Sequence, residues 1–130
     1  MTFDNEKKTF LAKIDRSKKG SIDQKAISII NAINQKNNYY TTSSCSGRVY
    51  FWQGTGKKSD TKWINMSHDT INLDFFNIEK KQGTIWLRFE GFILHVACSN
   101  LESATKFLNL AKTFFKKSSI LSISNKIIIE

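Results

Sequence analysis

Two alternating runs in the second half of this chain lead straight into a helical pattern, and that succession constrains the fold most. Residues 84–90 put Ile85, Leu87 and Phe89 on one face, and residues 92–97 set Phe92, Leu94 and Val96 against Ile93, His95 and Ala97. Gly91 between them reads as a tight turn or as a bulge within one long strand. Ser99 and Glu102 then cap a helix whose apolar face is Leu101, Ala104, Leu108, Ala111 and Phe115. Strand period passing directly into helix period points to a sheet with a helix laid on it.

The other segments supply the same material. Residues 3–15 predict a first helix with Phe3, Phe10, Leu11 and Ile14 in one stripe. A polar turn, Arg16-Ser17-Lys18-Lys19-Gly20, precedes Ser21. With Gln24, Ser21 opens a second helix that buries Ile22, Ala26, Ile29, Ile30 and Ile33. Strands are expected at 39–42, 49–52, 62–66, 120–123 and 126–129, and residues 70–82 read as a short helix or irregular structure. No G-x-G-x-x-G follows a strand, so nothing supports a Rossmann nucleotide site. The expected architecture is α+β (mixed α/β), a single sheet with packed helices, non-Rossmann. A chain of 130 residues is sized for a single domain, 1–130, large enough to bury a core without a staple.

Charge narrows the partners. Residues 1–65 carry twelve basic and five acidic side chains, against eight and six in residues 66–130. A polyanion would meet the first half, unless the lysines are simply a soluble surface. No apolar run approaches the roughly 18–20 residues of a membrane span, and the N-terminal segment lacks the core of a signal peptide. The chain is therefore expected in the cytoplasm, with Cys45 and Cys98 as thiols. A zinc site from Cys45, His68, His95 and Cys98 is poorly supported, because residues 95 and 98 of one strand face opposite ways. No metal is expected.

Two segments are poor core material and rich in chemistry. Residues 41–48 hold five small hydroxyl side chains before Gly47, together with Cys45 and Arg48. Such a loop offers backbone N–H groups and hydroxyls to a ligand, and Arg48 adds a planar fork for carboxylate or phosphate. The plainer reading is a polar turn with a buried thiol. Asp15-Arg16-Ser17-Lys18-Lys19-Gly20-Ser21 is the second segment, equally readable as a helix connection. His95 in an apolar strand reads as a satisfied core histidine or as a general base. Gly54-Thr55-Gly56-Lys57-Lys58-Ser59 imitates a phosphate loop but lacks its first glycine, since Phe51 stands there.

Taken together, three stretches carry a resemblance. They are residues 15–23, the run Tyr40-Thr41-Thr42-Ser43-Ser44-Cys45-Ser46-Gly47-Arg48, and Phe89-Glu90-Gly91-Phe92-Ile93-Leu94-His95-Val96, with Trp63-Ile64-Asn65-Met66-Ser67-His68-Asp69 as a weaker fourth. The sequence resembles the wybutosine-synthesis methyltransferase family, the third enzyme of that tRNA-modification pathway, in colinear order from about residue 5 to 121. The resemblance implies methyl transfer from S-adenosylmethionine to a ring nitrogen of the tricyclic guanosine derivative beside the anticodon of phenylalanine tRNA. It implies a cleft with His95 and Asp15 as candidate catalytic residues. Ser43, Ser44, Cys45, Gly47 and Arg48 would bind cofactor, and Ser17, Lys18, Lys19, His68 and Glu90 would bind substrate. Tyr39, Tyr40 or Trp52 would stack on the extended base. Family members usually have proline at the position of Gly91 and continue for a further third, so the chain is expected to be the family domain without its C-terminal part. The alternative is a non-catalytic RNA-binding module related to that family. On the enzyme reading, Arg48→Ala should abolish cofactor binding while stability stays within about a kcal/mol, as for most surface changes.

Overall fold

The computed structural model describes residues 1–16, 24–79 and 82–130, excepting the side chains of residues 14–16. Its elements are α1 (Phe3–Arg16), α2 (Ile27–Asn34), β1 (Tyr39–Cys45), β2 (Arg48–Gln53), β3 (Lys62–Ser67), a 3-10 turn (Leu73–Phe76), β4 (Trp86–Glu90), β5 (Ile93–Cys98), α3 (Leu101–Phe114), β6 (Ile120–Ile123) and β7 (Ile127–Ile129). The fold is mixed α/β and non-Rossmann, with every strand pair antiparallel. The expected single sheet is not formed. The strands divide into a four-stranded sheet, β1-β5-β7-β6, and a three-stranded sheet, β3-β2-β4. The chain correspondingly forms two compact units, Met1–Cys45 with Ile93–Glu130, and Ser46–Phe92.

In the first unit the sheet is covered on both faces. Tyr39, Leu94, Val96, Cys98, Ile127 and Ile129 pack with Ile33 of α2 and Ala104, Phe107 and Leu108 of α3. Burial in this layer pushes the Cys98 thiol up to about 11, so it stays protonated and inert. On the other face Phe3 and Phe10 of α1 close over Tyr40, with ring centroids 5.2 and 5.6 Å away. Lys126 lies over the Tyr40 ring and pairs with Glu6 at 3.1 Å. Asn34, at the end of α2, ties that helix to β1 by accepting from the Thr41 N–H at 2.8 Å.

Several local expectations shift. The Ser21 cap and Ile22 lie outside the described residues, and α2 begins at Ile27 with Ala26, Ile30 and Ile33 buried but Ile29 exposed. Helix α3 is capped by Asn100, whose carboxamide oxygen accepts from the Ser103 N–H at 2.8 Å. Ser99 instead donates to Asn38. Leu101 and Phe115 are exposed, and Phe107 takes the place in the core that helical spacing had assigned to them.

In the second unit Val49 and Phe51 pack with Phe75, Ile64, Ile71, Ile78 and Ile85 on one face of the small sheet. Leu87 and Phe89 share one face, opposite Phe51 and Val49, as their alternation predicts, yet they are half exposed and largely exposed. A sheet of three strands covered by one irregular segment has too little apolar cover to hide them. Gly91 is neither turn nor bulge. It follows β4, where the chain leaves the small sheet, with open space around the position a Cβ would take.

Asn100→Ala should cost about 1 kcal/mol, the usual value of an N-cap, while Ser99→Ala should stay within about 0.5 kcal/mol. Denaturant midpoints of the two variants check this assignment of the cap.

Candidate functional site

In the first unit the chemistry gathers at one point of the β1–β5 ladder. Tyr39 to Thr41 pair with Cys98 to Val96, and then the register slips by one, so that Ser43 rather than Thr42 opposes His95. The bulge brings the Ser43 hydroxyl to 2.8 Å from His95 Nδ1. The other ring nitrogen, Nε2, lies 2.5 Å from the Glu130 carboxylate. A carboxylate only accepts, so Nε2 donates to Glu130, and whenever the ring is neutral Nδ1 is the nitrogen that accepts from Ser43. Ser43 and His95 were separate candidates from the sequence, and Glu130 was not among them. Only the pairing of β5 with β7, which aligns Val96 with Ile129, brings that carboxylate to the histidine. Ser44 and Cys45 are half buried in the same strand, opposite Leu94 and Ile93.

In the second unit Gly47, Arg48, His68 and Glu90 come together. Arg48 Nε donates to Glu90 at 2.6 Å, and the Tyr50 hydroxyl donates to the other carboxylate oxygen at 2.8 Å. The guanidinium lies 5.1 Å from the Tyr50 ring centroid and 5.0 Å from that of Trp63. These donors hold the Glu90 carboxyl below the ordinary carboxylate range, Arg48 first, with Tyr50 and the charge of Arg88 adding to it against partial burial. His68 Nδ1 donates to the Gly47 carbonyl at 3.0 Å. Gly47 has φ +105°, and a Cβ there would stand 2.8 Å from the Glu90 carbonyl oxygen, so only glycine fits.

The remaining expectations divide. Asp15 lies in the last turn of α1, and Ser17, Lys18 and Lys19 lie outside the described residues. Tyr39 and Tyr40 are unsuitable for stacking on a base. Tyr39 packs on Phe107 and donates to the Ser103 carbonyl, and Tyr40 is 1% exposed under α1. The loop at 54–60 is closed on itself by Thr55, which donates to Asp60 through both its N–H and its hydroxyl. Among the described residues no group of three His, Cys, Asp or Glu side chains gathers, and no helix is long and apolar enough to cross a membrane.

An antiparallel mixed α/β fold without the glycine fingerprint stands apart from the Rossmann methyltransferases and belongs with non-Rossmann methyltransferase families. The profile of one such family, methyltransferase TYW3, matches residues 5–130, and the chain belongs to that family. It is 38% identical over 136 aligned positions to the tRNA(Phe) 7-((3-amino-3-carboxypropyl)-4-demethylwyosine(37)-N(4))-methyltransferase 1 of Pyrococcus abyssi, covering 98% of this chain and 70% of that protein. To the corresponding methyltransferase of Methanocaldococcus jannaschii it is 39% identical, covering 99% and 71%. The solved structure of PH1069 protein from Pyrococcus horikoshii superposes with a TM-score of 0.87 at 35% identity, over 98% of this chain and 70% of that one.

The clamp gives Arg48 more to hold in the fold than a surface side chain whose loss would leave stability within about a kcal/mol. Arg48→Ala should cost about 1–3 kcal/mol, because it strips a partly buried carboxylate of its charged donor and two rings of their cation. The lowered carboxyl of Glu90 contributes stability that is present above its unfolded pKa, near 4.5, and is lost as pH falls through the lower folded value. Glu90→Gln should therefore flatten the acid limb of the stability curve below about pH 4.5, as read from urea midpoints across pH.

Proposed function

We propose that this chain transfers a methyl group from S-adenosylmethionine to a ring nitrogen of the tricyclic wybutosine precursor beside the anticodon of phenylalanine tRNA. Family membership over residues 5–130 and archaeal relatives named for that N(4)-methylation support the reading. A cytoplasmic location fits a tRNA substrate. The donor chemistry within each unit suits parts of such a cofactor: in the first, Ser43 and Ser44 bring hydroxyls of the kind a ribose accepts from, and in the second, Arg48 keeps N–H donors suited to a carboxylate beyond the Nε committed to Glu90. When bound, S-adenosylmethionine supplies an already activated methyl group, so no nucleophilic thiol is called for, and the protein's work is alignment and exclusion of water.

The acceptor nitrogen has to lose a proton, and the observation that carries our assignment of the base is the Ser43–His95–Glu130 chain. Glu130 holds the Nε2 proton and so leaves Nδ1 as the accepting nitrogen, with the Ser43 hydroxyl between it and solvent. His95 Nδ1 takes the substrate proton, directly or through Ser43, and Glu130 stabilises the imidazolium that results. Asp15, the other candidate, lies in the last turn of α1, with its side chain outside the described residues. His68 and Glu90 act by holding Gly47 and Arg48 in place.

The test is transfer of labelled methyl from S-adenosylmethionine to phenylalanine tRNA from cells lacking this step. Incorporation is expected only into tRNA bearing the tricyclic base. No incorporation, with a family relative active in parallel, would overturn the reading in favour of a bare RNA-binding module. His95→Ala should lower kcat by about 10²- to 10⁴-fold, the usual worth of a general base, with cofactor affinity kept.

A further inference from the structure

The solvent side of an antiparallel sheet is ordinarily polar. The small sheet departs from that pattern. One of its faces is the apolar core around Phe51 and Phe75, and the other bears Arg48, Tyr50 and Trp52 of β2 with Trp86 and Arg88 opposite them on β4. A second bulge adds to this face. Phe51 pairs with Asn65, but Trp52 pairs with Trp63, so Ile64 drops out of the ladder toward the core and Trp63 turns to the open side. All three tryptophans of the chain therefore share one face. Trp52 and Trp86 stack with planes 24° apart, while Trp63 tilts over Tyr50 at 4.5 Å. Their packing leaves Trp63 51% and Trp86 52% exposed.

These residues line an open concavity of about 680 Å³, which the loop at 54–61 borders with Lys58. Among the described residues that line it there are three cations, Arg48, Lys58 and Arg88, and no carboxylate. Arg48 is committed to Glu90, whereas Lys58 and Arg88 are exposed at the rim. Half-bare indoles beside exposed cations suit a ligand that is flat and apolar in one part and anionic in the next. An unpaired nucleotide has that chemistry, and a duplex, with its bases stacked inside, does not.

We propose that this face is a platform for single-stranded RNA, with unpaired bases stacked on Trp63 and Trp86 and phosphates held by Arg88 and Lys58. The inference rests on the reading of the chain as a tRNA methyltransferase and assigns the nucleotides flanking the target base to this sheet.

Because every tryptophan lies on the platform, its own fluorescence reports occupancy. The whole chain is titrated with an anticodon stem-loop RNA and with a blunt RNA duplex of the same stem. The loop RNA should quench the emission and the duplex should not. Trp86→Ala should raise Kd for the loop RNA about tenfold, with Trp86→Phe recovering most of the loss. Arg88→Ala should lower the slope of log affinity against log salt by about 0.7, the value for one phosphate of a single strand. Binding of S-adenosylmethionine to Trp86→Ala and Arg88→Ala, followed by calorimetry, should stay unchanged and so shows that both variants are folded. Loop RNA that binds without quenching, or equally well to Trp86→Ala, would sink the platform. Quenching without methyl transfer would leave the platform and remove the enzyme. Methyl transfer with an unchanged KM for tRNA in Trp86→Ala would do the reverse.

Discussion

A β-strand presents its side chains to alternate faces, and the chemistry of this protein depends on two places where that alternation is interrupted. In β1 the slip between Thr41 and Ser43 sets a serine, not a threonine, beside His95. In β3 the slip at Ile64 sends an isoleucine into the core and a tryptophan out of it. A one-residue shift moves every later side chain to the opposite face, so each bulge changes what the sheet presents without changing its composition. The hydroxyl–imidazole contact and the aromatic face both follow from these two interruptions.

The second organising interaction is the clamp on Arg48. A guanidinium is always charged, and holding it half buried at the start of β2 calls for a carboxylate and for surfaces it can stack on. Glu90, directly opposite in β4, supplies the first, and Tyr50 and Trp63 supply the second. Tyr50 joins the two halves, since its ring carries the cation while its hydroxyl bonds the carboxylate. The arrangement keeps Arg48 in one orientation before any ligand arrives, which limits the ordering that binding would otherwise require.

Much of this was legible beforehand, for identifiable reasons. Helices α1 and α3 and the strands at 39, 49, 62, 93 and 120 follow from spacing and residue type, which are local properties. The motif from Ser43 to Arg48 stood out because small hydroxyls, glycine and arginine are poor material for a core. The division into two sheets did not show, because a strand's sequence reports its period and not its neighbour. Glu130 was missed for the same reason. It is joined to His95 through the pairing of β5 with β7, which lie on either side of a whole helix in the chain. Tyr39 and Tyr40 looked like stacking residues, yet α1 and α3 cover them, while the bare indoles are those of Trp63 and Trp86.

Sequence alone determined the mixed α/β class, the absence of a glycine-rich nucleotide loop, and Ser43, Arg48 and His95 as separate candidates for a site. Those are matters of residue chemistry and short-range periodicity, which each segment carries within itself. Tertiary structure alone decided which nitrogen of His95 accepts, which carboxylate supports it, and which face of the small sheet is left open. Each of these depends on strand register across dozens of residues, and register is set by packing against the helices and the core rather than by the strand's own side chains.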